Sequence, residues 1–420
     1  MAKQLTFIHA ADLHLGAPFR GLQALSESWA TRLLAAIPES YDRVIDAALK
    51  HEVDFVVIAG DIFDSARASY ADYLHFFEGL KRLDSAGIPA YLCTGNHDPF
   101  TSWQQDFFAL PPNTLMFPAD KPGFALYEKE GETLAILGGR GYYNQSWPAD
   151  KDIAEGISRQ AAEEATGTKA PFAIGVLHTG LNLDPEKAPT EPGRLMQAGM
   201  DYWALGHIHL KYAYPPANPR LVFSGCIQGR DIKETGERGI YKVTLTEGLP
   251  NRLEFIPTAS VVWQKMEVDV SECASLGEVS DKVLRDLFHE NSKAQCEEMC
   301  TRIALVGKTE LHTILDRPGI LSDLRKALND AYPVFFCDAL LNKTTRPYDK
   351  EALREEGLFP AVFLQVCASF EGDCESTVLY LQDEFLKRSL QFPRACEKEV
   401  GQLASEAQEL VLDLLGKVDA

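Results

Sequence analysis

The 420-residue sequence predicts an α/β fold. Three observations carry this. Short apolar runs alternate with helically spaced segments over residues 5–95, strand-like runs dominate from 123 to 257, and the chain turns mostly helical and highly charged beyond Asp349. Strands that alternate with helices form right-handed βαβ units with mostly parallel pairing.

LTFIHA (5–10), DFVVIAG (54–60) and IPAYLCTG (88–95) read as three buried strands. Between them, SYDRVIDAALKHE (40–52) has helical spacing through Val44, Ile45, Ala48 and Leu49, with Ser40 as a candidate N-cap. YADYLHFFEGLKRLDSAG (70–87) is a second amphipathic helix, with Gly87 placed to end it. A hairpin follows over 123–139, turning around Lys129-Glu130-Gly131. Three further strands cover 172–178, 201–209 and 220–226, and a second hairpin joins 239–245 to 251–257 around Glu247-Gly248.

Residues 1–260 therefore form a strand-rich α/β sandwich, 261–348 a compact α/β module, and 349–420 a helical region. In 405–418, helical spacing puts Ala407, Leu410, Val411, Leu414 and Leu415 on one face, which either docks on its own domain or binds a partner.

The chain is longer than one hydrophobic core usually serves, and its composition, 45% hydrophobic and 24% charged, is that of a soluble globular protein. No apolar run approaches the ~18 residues of a membrane span. The opening lacks the apolar stretch of a signal peptide, so a cytoplasmic protein with no membrane partner is expected. Nine thinly scattered cysteines make no disulfide framework. Cys296 and Cys300 lack the second pair that a zinc site needs and read as ordinary thiols. A net charge of -20 excludes a chain that coats nucleic acid with its whole surface. A DNA ligand would be held by a small patch, a metal centre or a partner subunit.

The chemistry gathers where the strands end. Asp12 and His14 follow the first strand, Asp61 the second, and Asn96, His97 and Asp98 the third. His178 ends the strand 172–178, and His207 and His209 close the strand 201–209. In open α/β sheets, sites form at the carboxyl ends of strands. Singly, each residue has an ordinary reading: a hydrogen-bonded histidine, or Asp61 as a helix cap. Jointly they read as a metal site. Asp12 and His14 are two apart, as are His207 and His209, and in extended backbone that spacing sends both side chains to one side. Gly60, Gly95 and Gly206 allow close backbone approach. The imidazole-rich set suits Mn²⁺, Fe²⁺ or Zn²⁺ better than Mg²⁺. It offers more donors than one ion needs, but two ions sharing the Asp61 carboxylate would use them. Such a pair, ~3.5–4 Å apart, activates water and clamps a phosphate. Asp64 reads as a helix cap or a support for the ligands.

The blocks D-x-H (Asp12, His14), G-D-x-x-D (Gly60 to Asp64), G-N-H-D (Gly95 to Asp98), His178 and G-H-x-H (Gly206 to His209) resemble the calcineurin-like metallophosphoesterase signature, in order, across about the first 260 residues. The opening HAADLHLGAPFRGL, the chain length and the α/β module after the first domain resemble the SbcD-like DNA-repair exonucleases, in their YhaO branch. That resemblance implies a four-layer α/β/β/α sandwich followed by a capping domain. It implies one ion on Asp12, His14, Asp61 and His209, and a second on Asp61, Asn96, His178 and His207. His97 would be a catalytic residue, oriented and charged by Asp98. The activity implied is Mn²⁺-dependent hydrolysis of DNA phosphodiesters, as a 3′-to-5′ exonuclease and endonuclease. The partners implied are an SMC-like coiled-coil ATPase, docked through C-terminal helices for which 349–420 is the candidate, and a second copy in a homodimer. Arg20, Arg140, Arg230 and Lys233 lie near the motif loops and are candidate phosphate contacts, against the plainer reading of surface cations. Two alternatives are a metallophosphatase or phosphodiesterase on small substrates, and a scaffold that regulates an ATPase without catalysis.

Overall fold

The computed structural model describes residues 2–17, 26–64, 68–104, 107–148, 150–184, 187–293, 298–348, 350–355 and 359–416. Arg20, Cys296 and the side chains of Leu414 and Leu415 lie outside this description.

Strands β1 (Gln4–Ala10), β2 (Phe55–Ala59), β3 (Ala90–Cys93) and β4 (Thr114–Met116) are parallel neighbours in a first sheet. A second sheet holds β5 (Gly123–Lys129), β6 (Glu132–Arg140), β7 (Phe172–His178), β8 (Tyr202–Gly206), β9 (Tyr212–Tyr214) and β10 (Leu221–Phe223), in the order β5-β6-β7-β8-β10-β9. The chain then returns to the first sheet. There the hairpin of β11 (Gly239–Thr246) and β12 (Arg252–Pro257) pairs antiparallel with β1, giving the order β12-β11-β1-β2-β3-β4. Both predicted hairpins are present, with Glu130, Gly131 and Gly248 at positive φ in their turns.

The two six-stranded sheets pack face to face. Phe7, Phe55, Val57, Ala59 and Cys93 of the first meet Leu137, Ile174, Val176, Tyr202 and Ala204 of the second. The other face of the first sheet, through Ile8, Val56, Ile58 and Leu92, is covered by helices α1 (Glu27–Lys50) and α2 (Tyr70–Ser85). The outer face of the second sheet is covered by α3 (Arg159–Thr166), α4 (Pro192–Gln197) and the loops around them. This is the four-layer α/β/β/α sandwich. It explains why β2 reads as unbroken apolar sequence: alternate residues face different layers, and both layers are dry.

Two local expectations are corrected. Helix α1 begins at Glu27, not near Ser40, and its N-cap is Ser26, whose hydroxyl accepts the Trp29 N–H. Pro38 lies inside the helix and reads as a break in the sequence. The helix continues through it because Leu33, Ile37, Tyr41 and Val44 bury one continuous stripe on the sheet. Ser40 is buried mid-helix, donating to the Ala36 carbonyl and to Gln228 Oε1. Asp64 does not cap α2. Ser69 does, in a reciprocal capping box with Asp72, and Gly87 follows the helix end at φ 72° as expected.

Beyond the sandwich, β13 (Val261–Asp269), β14 (Glu298–Lys308) and β15 (Phe335–Thr345) form a third sheet in that order. Helices α5 (Leu276–Lys293), α6 (His312–Leu315) and α7 (Ile320–Ala331) lie between them in sequence. The chain packs as two compact units. One is Met1–Lys265 with His289–Thr301 and Pro333–Asp338, and the other is Met266–Phe288, Arg302–Tyr332 and Ala339–Ala420. The second unit ends in α8 (Lys350–Glu355), α9 (Phe359–Gly372), α10 (Cys374–Lys387) and α11 (Val400–Gly416). α11 packs on α9. It buries Gln408 and Leu412, while Ala407 and Leu410, expected on its apolar face, are exposed. Among the described residues, eight cysteines form no disulfide with one another. No helix among the described residues is long and apolar enough to cross a membrane.

His9 lies between the sheets, its Nδ1 2.9 Å from the Tyr202 hydroxyl. Burial lowers its pKa to about 3, against a bond from the Leu205 backbone that raises it. The unfolded chain takes up this proton near pH 6.5, and the folded chain does so only near 3. Its contribution is therefore present above pH 6.5 and lost as pH falls toward 3, with a slope of up to about 1.4 kcal/mol per pH unit. His9→Gln should flatten this dependence. In urea unfolding with a chelator present, the stability gap between wild type and variant should shrink from pH 7 to pH 5. An unchanged gap would remove His9 as its source.

Candidate metal centre

β1, β2 and β3 are neighbours in one sheet and β7 and β8 in the other, so their C-terminal ends meet at one edge of the sandwich. The backbone leaves the strands abruptly there. Asp12, His14, Asp61 and His207 all have positive φ, at 52°, 50°, 50° and 100°. This corrects the expectation of extended backbone at Asp12 and His14: their side chains converge because the chain turns left-handed, not because a strand alternates. Such conformations cost of order 1–3 kcal/mol each and persist only where the surroundings over-determine them. Here they do. Asp12 N–H donates to the Gly60 carbonyl at 3.1 Å and His14 N–H to that of Asp61 at 3.0 Å. The Asp12 carboxylate accepts the His207 N–H at 3.0 and 3.1 Å. Asp98 is fully buried, and its carboxylate accepts the N–H groups of Gly95 (2.7 Å), Asp61 (3.1 Å) and Ile62 (2.9 Å), clamping the β3 turn to the β2 turn.

The side chains fall into two groups whose donor atoms each lie within 4.8 Å of one another: Asp12, His14 and His209, and Asp61, His178 and His207. Asp61 joins them. Its Oδ2 is 3.3 Å from His178 Nε2 and 3.8 Å from His14 Nε2, while its Oδ1 accepts the His97 N–H at 2.8 Å. Asn96 Oδ1 sits 3.1 Å from both His178 Nε2 and His207 Nδ1. His209 Nε2 is 3.1 Å from His14 Nε2 and 3.9 Å from Asp12 Oδ1. All seven residues read as ligands from the sequence are thus together. The His97 ring, half-buried, lies against that of His14 with centroids 5.0 Å apart.

Glycine is required at the contact. A Cβ on Gly95 would lie 2.1 Å from Asp61 Oδ1, and one on Gly206 would lie 1.9 Å from the Ala59 carbonyl and 2.9 Å from His178 Nδ1.

Two carboxylates that sequence reasoning missed orient the imidazoles. Glu234 bonds His209 Nδ1, and Asp184 Oδ2 lies 3.1 Å from His207 Nε2. His178 Nδ1 meets the Ala59 carbonyl at 2.9 Å. Each leaves the opposite ring nitrogen, or in His207 the Nδ1 beside Asn96, for the centre, the arrangement in which supporting groups set tautomer and aim. Neither acid stands at a fixed spacing from its histidine, so only the fold reveals them. Arg230 Nη2 is 3.4 Å from His209 Nδ1 and 3.5 Å from Glu234 Oε1. Among the other candidate cations, Arg140 stacks over Trp147 and Lys233 is exposed.

Burial would lower His178, but the Asp61 and Asp12 carboxylates raise it to about 9. Burial would raise Asp61, but His178, His14 and His97 hold it below the ordinary carboxylate range. His14 is pushed well below its usual value by burial, then by Arg230. Glu234, despite its burial, is held at about 2 by His209. Buried carboxylates surrounded by ring nitrogens, with His14 Nε2 and His209 Nε2 only 3.1 Å apart, fit a pair of divalent cations, which would bridge these crowded donors.

The model of the calcineurin-like phosphoesterase family matches residues 5–211, and that of the middle domain of metallophosphoesterase YhaO matches 263–345. A Bacillus subtilis protein named uncharacterized metallophosphoesterase YhaO is 35% identical over 79% of this chain and 78% of its own. A DNA double-strand break repair protein Mre11 from Aeropyrum pernix is 24% identical over 77% of this chain and 78% of its own. Another from Sulfurisphaera tokodaii is 25% identical over 51% of each chain. The solved structure of TT1561 from Thermus thermophilus overlays with a TM-score of 0.34 at 12% identity, covering 61% of this chain and all of that one.

After loading with Mn²⁺ as the probe ion and dialysis, Asp61→Ala should retain at least one ion per chain fewer than wild type by elemental analysis. Gly95→Ala should retain less too, by pushing the Asp61 carboxylate aside. A variant that keeps the wild-type content would remove Asp61 from the bridging position.

Proposed function

We propose, on the premise that the chain belongs to the calcineurin-like phosphoesterases, that it is a two-metal-dependent DNA nuclease and the nuclease subunit of an SMC-like ATPase complex. The observation that carries the hydrolytic part is the meeting of two donor groups at Asp61. In this reading Asp12, His14, Asp61 and His209 hold one ion, and Asp61, Asn96, His178 and His207 the other. Mn²⁺ suits this imidazole-rich set, as do Fe²⁺ and Zn²⁺. When bound, the pair supplies an activated water and stabilises charge on the phosphate.

The chain's own residues do the rest. His97, half-buried beside His14, donates a proton to the leaving oxygen. Asp98 acts as a positioning residue, since its carboxylate ties the His97 turn to the Asp61 turn. Arg230, whose guanidinium lies 3.4 Å from His209 Nδ1, is the candidate phosphate contact. DNA as the substrate is supported by the two relatives named for double-strand break repair. With 61 Asp and Glu against 41 Lys and Arg, the net charge of -20 repels a duplex, which favours a partner that holds it. In the second unit, α9 exposes Phe359, Val362 and Val366, spaced i, i+3, i+7, as a face for such a partner's coiled coil.

His97→Ala should lower hydrolysis of end-labelled duplex DNA with Mn²⁺ by roughly 10²–10⁴-fold while manganese content stays at the wild-type level. Loss of metal would make His97 a ligand instead. Wild-type protein that hydrolyses bis(p-nitrophenyl) phosphate but no DNA would favour the small-substrate reading. Val362→Asp should weaken co-purification with an SMC-like ATPase encoded in the same genome and leave Mn²⁺-dependent DNA hydrolysis by the isolated chain intact. Undiminished co-purification would clear α9 of that role.

A further inference from the structure

Beside the metal centre two aromatic rings face solvent. Phe100 and Tyr143 stack with centroids 6.0 Å apart and planes 23° from parallel, and they are 41% and 49% exposed. Exposed aromatic surface of this size is not explained by the core, and its mounting is rigid. Phe100 N–H donates to the Tyr142 carbonyl at 2.9 Å and Thr101 N–H to that of Tyr143 at 3.1 Å. The Tyr142 carbonyl also accepts the Thr94 hydroxyl at 2.8 Å, and Tyr142 N–H donates to the Thr94 carbonyl at 3.2 Å. Tyr142 itself is fully buried, its ring 5.7 Å from that of His178. On the other strand of this link, Asp98, Pro99 and Phe100 follow His97 directly, and the Asp98 carbonyl accepts the Trp103 indole N–H at 2.8 Å. The two rings are therefore fastened to the turn that carries Asn96 and His97, and Tyr142, next to Tyr143, packs against His178.

Phe100 stands three residues from His97, a chain reach of about 10 Å at most, which is the span of one to two nucleotides. From this geometry we propose that Phe100 and Tyr143 form a stacking platform for an unpaired base next to the scissile phosphate. The proposal rests on the nuclease reading and deepens it: the site selects a nucleotide phosphodiester whose base has left the duplex, at a frayed end or in a single strand. Stacking suits this task because every base has a π-face, so an aromatic platform holds the strand without reading its sequence. It also supplies affinity without cations, which matters in a chain of net charge -20. The rings are positioning residues and take no part in the proton or phosphoryl chemistry.

The test compares two single-stranded oligonucleotides, with Mn²⁺ and the full chain, that differ only in whether the nucleotide beside the cleaved bond carries a base or is abasic. Wild type should cleave the base-bearing strand about 5- to 150-fold more efficiently, the range that one stacked base provides. The difference should lie mainly in KM. Phe100→Leu and Tyr143→Leu keep apolar volume without a ring, and the double variant should lose the discrimination, its rate on the base-bearing strand falling to that on the abasic one. A 2-aminopurine at that position, read by fluorescence in Ca²⁺, should be quenched by wild type and not by the double variant. Equal cleavage of both strands by wild type, or discrimination that survives in the double variant, overturns the platform while leaving the nuclease reading in place. No cleavage of either strand overturns both.

Discussion

A carboxylate with 1% of its surface exposed must be neutralised where it stands, and the neighbourhood of Asp61 is organised around that requirement. One of its oxygens is within 4 Å of a ring nitrogen from each sheet, His14 after β1 and His178 at the end of β7. The other takes a backbone N–H from the β3 turn. The face-to-face packing of two sheets, dry between Phe7, Phe55, Ile174 and Tyr202, is what brings these groups to one point. Slide one sheet along the other and a buried charge is left uncompensated, which costs several kcal/mol. The hydrophobic core and the polar centre thus enforce the same register.

That centre is built from conformations the chain would otherwise avoid. Left-handed backbone at Asp12, His14, Asp61 and His207 would relax unless opposed. What opposes it is an extension of the β1–β2 pairing beyond the strands, through Asp12, His14 and Leu15 onto Gly60, Asp61 and Ile62. The carboxylates of Asp12 and Asp98 reinforce it by spending their lone pairs on backbone N–H groups. The absent Cβ atoms of Gly95 and Gly206 provide the remaining space. The same residue can therefore be both a donor to the centre and a part of its frame, as Asp12 is.

Charge is distributed unevenly over the tasks. Near the centre, Glu234 and Asp184 aim two imidazoles and Arg230 sits beside the His209–Glu234 pair, so acids and a cation there act on the site itself. Elsewhere the excess acidity repels a polyanion. Among the described residues, exposed aromatic rings stand near the turn of His97, and an apolar face is exposed on α9 in the second unit.

The sequence by itself determined the α/β class, the two hairpins and the placing of seven candidate donors at strand ends that the fold brings together. Unbroken apolar runs followed by Asp, Asn and His at five strand ends are a local signal, legible without contacts. It could not locate the start of α1, because Pro38 mimics a stop and only burial of Leu33 and Ile37 overrides it. It could not find Glu234 or Asp184, or the Phe100–Tyr143 pair, which join residues 25, 23 and 43 apart with no periodicity to announce them. It also gave a wrong reason for a right result at Asp12 and His14. Local pattern sets what a segment becomes. Which distant side chains share one oxygen is set by the packing of two sheets, and that packing is a property of the whole chain.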